Sequence, residues 1–440
     1  MHELADEPSG TGHLVPTLTL RSIWRRIRRD LVLLGSGNLA IVLAQLGFRG
    51  LLVDSLAPSA YGRLSLVLGI YNVIWIVGAS GLPNAAARHI AKIVPADDSA
   101  IVSSAIRAAA LPTLLAAAIV AGAAGSLLHS ALAVPLSAVG LASLVYSLLM
   151  MGVLRGRGRM GAAAAVMPLA ALGEVAPLAL LRLLGVEFTP LLGFAVFCFG
   201  NAVGLITAVA FVLRTAPPRS PARLVPPTVR ELLGFSAWLG LATLSLAMLP
   251  LALRTSAALD SYTTVAVVDV ALVLFALPQR LGAMIVMAVT PHASRAGDSD
   301  GWQFSISARE NALVMLPFAA IAAVVAFTPL IGWLFDLLGR PVYAKSAGYL
   351  ALALLAGPAR VLFGVIEGAL IARGEGRTMA VTVLSVTAVA AGLIFAASAL
   401  DSPAGAFLIF VLAYWAIYLL GSARLNRRAL PSEAAARAYS

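Results

Sequence analysis

The chain has 440 residues, 60% of them hydrophobic and 12% charged, with a mean hydropathy of +0.94. Soluble domains run at about 45–50% apolar and about 25% charged, so a soluble enzyme is excluded, and so are the polar bias of a disordered chain and the period of a fibrous one. Lys+Arg 31 against Asp+Glu 20 gives a formal +11, nearly all of it arginine, and in so apolar a chain that excess reads as membrane topology before it reads as a nucleic-acid surface.

Runs such as 31–53 and 379–400 are apolar on nearly every face, whereas barrel strands would alternate, so the fold class is an all-α polytopic membrane protein. A span takes about 20 apolar residues. After a basic tail (1–30), that length predicts spans at 31–53, 64–82, 101–128, 132–154, 162–184 and 191–213, together an N-lobe of 31–214. The first follows Arg25, Arg26, Arg28 and Arg29 but exceeds the signal-peptide core of about 7–15 residues, so it is expected to stay uncleaved. A linker at 215–230 holds Pro217, Pro218, Pro221, Pro226 and Pro227 with Arg219 and Arg223, which makes it stiff and basic. Spans at 232–253, 263–289, 312–335, 346–371, 379–400 and 404–420 then form a C-lobe of 231–422, before a second basic tail at 423–440.

Cationic residues fall in alternate loops: Arg88 with Lys92, then Arg155, Arg157 and Arg159, the linker, Arg295 with Arg309, Arg373 with Arg377, and both tails. That side is expected to be cytoplasmic, with both termini on it. The single Cys198 allows no intrachain disulfide or thiolate cluster.

The two halves echo each other. The second span ends in Gly81-Leu82-Pro83-Asn84-Ala85-Ala86-Ala87-Arg88 and the eighth in Val289-Thr290-Pro291-His292-Ala293-Ser294-Arg295. Arg155-Gly156-Arg157-Gly158-Arg159 follows the fourth span, and Arg373-Gly374-Glu375-Gly376-Arg377 the tenth. These predict two six-helix lobes related as parallel repeats. With the segment Leu56-Ala57-Pro58-Ser59-Ala60-Tyr61-Gly62-Arg63-Leu64, the order of these motifs resembles the polysaccharide-export flippases. They are the Wzx-type members of the multidrug/oligosaccharidyl-lipid/polysaccharide (MOP) exporter superfamily. The resemblance implies a two-lobed fold that moves polyprenyl-pyrophosphate-linked sugars between leaflets of a bacterial cytoplasmic membrane. It implies lipid-linked oligosaccharide, membrane lipids and polysaccharide polymerase or assembly proteins as partners.

A charge at mid-span costs about 2.5–3.5 kcal/mol on insertion scales, so those present are functional candidates. They are Arg49, Glu174, Arg254, Asp269, Arg280, Arg360 and Glu367. Arg280 and Arg360 would hold a pyrophosphate, because a guanidinium binds its oxygens bidentately and stays ionised when partly dry. Asp269 with Arg280, and Arg360 with Glu367, share helical faces and would otherwise be structural ion pairs. Arg49 and Arg254, followed by Asp54 and Asp260, would form a cationic gate at the outer mouth or else snorkel to the interface. Glu174 would carry a proton or pair with a cavity arginine. Asn38, Gln45, Asn72 and Asn201 would bond sugar hydroxyls or neighbouring helices. The residues Asn84 to Val94 place Arg88, His89 and Lys92 on one face, as in a helix lying on the anionic leaflet.

The five histidines form no His-Glu-x-x-His pair, and neither a Walker loop nor a Gly-x-Ser-x-Gly elbow occurs. The reading is a transporter without a cofactor, driven by a proton or sodium gradient. A multidrug and toxin extruder with an acidic cavity is the alternative within transport. A membrane-embedded enzyme of polysaccharide assembly is the alternative outside it.

Overall fold

The computed structural model describes residues 20–79, 81–93, 98–217, 228–296, 308–372 and 374–427, and among them there is helix and no strand. The first half comprises α1 (Leu20–Ser55), α2 (Pro58–Ala79), α3 (Leu82–Ile93), α4 (Ser99–Leu128), α5 (Ala133–Gly156), α6 (Met160–Leu183) and α7 (Pro190–Arg214). The second comprises α8 (Val229–Ala258), α9 (Tyr262–Ala296), α10 (Ala308–Phe327), α11 (Leu330–Leu337), a 3-10 turn (Pro341–Lys345), α12 (Ser346–Ala372), α13 (Gly376–Ala399) and α14 (Pro403–Arg427). Eleven helices among the described residues are long and apolar enough to cross a membrane, and α10 with α11 makes a bent twelfth. The chain is a multi-pass membrane protein. An even number of crossings puts Leu20 and Arg427 at one end of the bundle, called here the terminal end, and the other the distal end.

Three elements depart from the expected boundaries. Helix α1 starts at Leu20, well inside the expected tail, because nothing between Leu20 and Leu31 breaks a helix. The ninth span is not one rod: α10 and α11 meet at 57°, where Pro329 lacks the N–H to continue the ladder and the Thr328 hydroxyl donates back to the Val324 carbonyl. The stretch 84–94 is α3, which ends at Ile93 and does more than lie on a surface. Its Leu82, Ala85, Ala86 and Ile90 are buried. A Cβ at Gly152 of α5 would sit 2.3 Å from the Pro83 carbonyl oxygen, so glycine is what lets α3 dock there. Lys92, Val94 and the 218–227 part of the linker lie outside the described side chains. So do those of Arg25 to Arg29 and of 288–313, which hold the repeat at the end of α9.

The Gly-Arg turns repeat in three dimensions. After α5, Gly158 (φ +72°) donates to the Arg155 carbonyl and Arg159 to that of Leu154. After α12, Gly374 (φ +74°) donates to Ile371 and Glu375 to Leu370. Both are the same glycine-closed helix end, which needs a residue without Cβ in the left-handed region. Buried apolar side chains gather in two clusters. One is drawn almost wholly from the first half and the other almost wholly from the second. The halves meet chiefly through α1 and α2 on one side and α8 and α9 on the other. Large apolar side chains such as Leu111, Leu114, Leu213 and Leu412 point outward, as a lipid-facing perimeter requires.

Candidate functional site: buried charges between the halves

At the distal end, side chains from four helices converge on Asp269 of α9, which is wholly buried. Arg49 Nη1 of α1 donates to Oδ2 at 2.9 Å, and the Tyr61 hydroxyl of α2 donates to the same oxygen at 2.6 Å. Arg254 Nε of α8 donates to Oδ1 at 2.8 Å. Arg49 and Tyr61 belong to the first half, Arg254 and Asp269 to the second, so this cluster ties the halves together. Three donors, two of them charged, offset the desolvation that a buried carboxylate would otherwise suffer.

Close backbone approach brings the groups together. A Cβ at Gly62 would lie 1.7 Å from the Tyr262 carbonyl oxygen, and one at Gly69 would lie 2.9 Å from Arg254 Cδ. Helix α2 therefore seats flush on the start of α9 and over the Arg254 side chain. Tyr343, from the turn before α12, packs edge-on against Tyr61 with ring centroids 6.3 Å apart. Arg340 donates to the Asp54 carbonyl, closing the same end.

These contacts change the sequence-based partners. Arg49 and Arg254 do not snorkel and do not use Asp54 and Asp260: both hold Asp269. Asp54 pairs with Arg182 on an exposed surface at 2.7 Å, and Asp260 accepts from the Thr264 hydroxyl. Asp269 and Arg280 share a face of α9 without pairing, because eleven residues at about 1.5 Å each separate them by about 16 Å along the axis. Tyr61 was not singled out by its chemistry. Its one signal was its place beside Gly62, in the segment that carries the family resemblance.

Deeper in the bundle, Glu174 of α6 is buried. It makes no hydrogen bond or ion pair among the described residues, and the cations that act on it electrostatically are Arg49 and Arg280. Gly200 of α7 makes room for it: a Cβ there would be 2.3 Å from Glu174 Cγ. Arg280 is only partly buried. Among the described residues it likewise makes no hydrogen bond or ion pair, and Glu174 is the charge acting on it. Arg280 and Glu174 thus face each other's charge from opposite halves.

Arg360 occupies a different place. Its Nη1 lies 3.3 Å from Glu367 Oε2, with both side chains buried. A Cβ at Gly282 would sit 2.7 Å from the Arg360 carbonyl oxygen and 2.8 Å from its Nη1, so Arg360 packs on the Gly282 face of α9. Arg280 is two residues away, about 200° around the helix at about 100° per residue, and points from α9 in the opposite sense. The expected stripe is therefore split. Arg280 faces the first half, and the Arg360–Glu367 pair lies between α9 and α12 inside the second.

Asn201 is buried and donates to the Tyr71 hydroxyl at 3.3 Å and the Phe197 carbonyl at 3.2 Å, an interhelical bond within the first half. Asn38 lies partly buried on α1. At the terminal end Arg157 grips Asp98 with two bonds of 2.7 and 2.8 Å and donates to the Val212 carbonyl at 2.6 Å, stapling three segments of the first half.

Two half-bundles meeting along paired helices, with intramembrane charges across the seam, define the class: a multi-pass helical protein with the fold of MOP-superfamily transporters. The chain belongs to the family described as polysaccharide biosynthesis protein, whose model matches residues 27–296. It is similar to a MOP-superfamily transporter from Pyrococcus furiosus, described as having a binding pocket of reverse polarity that suggests a different function. The identity is 17%, with 92% of this chain and 96% of that one covered and a TM-score of 0.67. Similar too is a multidrug resistance MATE family transporter in its outward-facing conformation, at 18% identity over 92% and 96% of the two chains, TM-score 0.65. The inward-facing conformation of a transporter so described matches at 16% identity over 91% and 98%, TM-score 0.63. No curated protein sequence matches the chain.

Proposed function

We propose that the protein is a flippase that carries a lipid-linked, polyprenyl-pyrophosphate oligosaccharide across a bacterial cytoplasmic membrane for cell-surface polysaccharide synthesis. The halves alternate access to a site between them. The observation that carries this reading is Arg280, a guanidinium at the seam with no hydrogen bond or ion pair among the described residues. A guanidinium held at membrane depth is suited to an anionic cargo, and its planar fork to pyrophosphate oxygens. Membership of a polysaccharide biosynthesis family supports the sugar-linked cargo.

The direct test is flipping of a fluorescent lipid-linked sugar in proteoliposomes containing the full chain. Arg280→Ala is expected to lower the rate by roughly 10- to 100-fold, the worth of a charged hydrogen bond of about 1.5–3 kcal/mol, with Arg280→Lys intermediate. Equal rates for parent and Arg280→Ala would refute the assignment, and transport of an organic cation in its place would favour the multidrug reading.

The Arg360–Glu367 pair gives a contrasting result. Arg360→Met alone should impair the protein by leaving Glu367 buried and unpaired, and Arg360→Met with Glu367→Gln should restore it. A double variant that stays inactive would return Arg360 to the binding site.

Orientation is tested with single cysteines in a Cys198→Ala background. Glu187, exposed in the turn after α6, lies at the distal end, and Arg159, exposed after α5, at the terminal end. An impermeant thiol reagent added to intact cells should label Glu187→Cys and spare Arg159→Cys. The reverse pattern would place the termini outside.

A further inference from the structure

Resting on the anion site proposed at Arg280, we infer that Glu174 is a positioning residue that couples occupation of that site to opening of the distal end, by exchanging arginine partners. The argument is a count of charges across the seam. In the conformation described, Asp269 holds two guanidiniums, Arg49 at 2.9 Å and Arg254 at 2.8 Å. Glu174 holds none by hydrogen bond, but feels both Arg49 and Arg280. The first half contributes Arg49 and Glu174, from the packed neighbours α1 and α6, and the second contributes Arg254, Asp269 and Arg280.

Separating the halves at the distal end breaks the Arg49–Asp269 and Tyr61–Asp269 bonds. Asp269 then keeps Arg254, which comes from its own half. Arg49 goes with the first half, where Glu174 is a buried carboxylate with a place for one guanidinium. If Glu174 turns to Arg49, however, Arg280 loses the only charge acting on it. An anion on Arg280 removes that objection: Asp269 pairs with Arg254, Glu174 with Arg49, and Arg280 with the cargo. The open end is therefore fully paired only when the anion is present, and each buried charge left unpaired would be costly. Loss of the anion on the far side leaves Arg280 uncompensated, draws Glu174 back, and returns Arg49 to Asp269. The exchange makes an empty opening unfavourable, as the differential-affinity requirement for coupling demands.

The test uses the full chain in detergent, Cys198→Ala, spin-labelled at Leu184→Cys and Leu259→Cys. Both positions are exposed at the distal end, one on each half. Inorganic pyrophosphate is the probe for both affinity and distance. In the parent, pyrophosphate should bind and lengthen the distance between the labels. Glu174→Gln should bind it about tenfold tighter, because a competing carboxylate is gone, and yet show no lengthening. Such tightening with loss of response is not what a merely structural residue produces. Lengthening in Glu174→Gln equal to the parent's overturns the relay and leaves the anion site intact. So does weakening of pyrophosphate binding by Glu174→Gln, which would make Glu174 a support of the site. Binding by Arg280→Ala as tight as the parent's overturns the anion site itself, and the relay with it. Glu174→Asp, which keeps the charge one methylene short, should recover part of the lengthening.

Discussion

Gly62→Val is expected to abolish transport while leaving the protein in the membrane at near-normal abundance. The Cβ it adds would fall 1.7 Å from the Tyr262 carbonyl oxygen, far inside any permitted contact. The obstacle is backbone, at the first residue of α9, so no side-chain rotation relieves it. Helices α2 and α9 must instead move apart. Tyr61 is the preceding residue and its hydroxyl sits 2.6 Å from Asp269, so the same displacement breaks the cluster that ties the halves. Each half keeps its own buried core, which is why the substitution should spare folding and remove one conformation. Spin labels at Leu184→Cys and Leu259→Cys should report a long separation with or without pyrophosphate. Gly62→Ala should give the same defect in weaker form only if the helices can separate by a few tenths of an ångström. Ordinary transport by Gly62→Val would mean that the closed distal end is not part of the cycle.

What the sequence disclosed about this region depended on the kind of information required. Apolar runs of about 20 residues located the spans because the membrane imposes that length whatever surrounds it. The Gly158 and Gly374 turns were legible as a repeat because a left-handed residue restricts the sequence locally. Intramembrane charge marked Arg49, Glu174, Arg254, Asp269 and Arg280 as candidates for the same local reason. Which of them touch is not local. Periodicity placed Asp269 and Arg280 on one face of α9, but says nothing of the four helix ends that deliver Arg49, Tyr61 and Arg254 to Asp269. It also put Arg360 in the cavity with Arg280. The crossing of α9 and α12 at Gly282 and Gly364, where a Cβ on Gly364 would lie 2.4 Å from the Gly282 carbonyl oxygen, puts Arg360 behind α9 instead. A glycine pair of that sort is visible in the sequence only as two glycines. The bend at Thr328 and Pro329 was within reach, since proline after a polar residue is a local signal, but the apolar run continues through it and hides the break.

Asp269→Asn is expected to be the most destabilising single change among the intramembrane charges. It keeps the shape of the side chain and removes the counter-charge of two buried guanidiniums at once. Breaking a buried pair by deleting one partner costs about 3–5 kcal/mol, and here two arginines are stranded together. Arg49 and Arg254 then repel across the seam, and both the melting temperature in detergent and the fraction of protein with a closed distal end should fall. Whether that loss is only structural is decided by removing the remaining charges. The triple variant Arg49→Met, Arg254→Met, Asp269→Leu replaces the cluster with apolar side chains, and substitution of that kind for buried ion pairs is often neutral or stabilising. Its melting temperature should return to the parent's or exceed it. Transport should not return, because Glu174 then has no arginine to receive and the distal end no longer carries a bond that can be exchanged. A triple variant that is stable and also flips lipid-linked sugar at the parent's rate would reduce the Asp269 cluster to a packing device and sink its role as the gate.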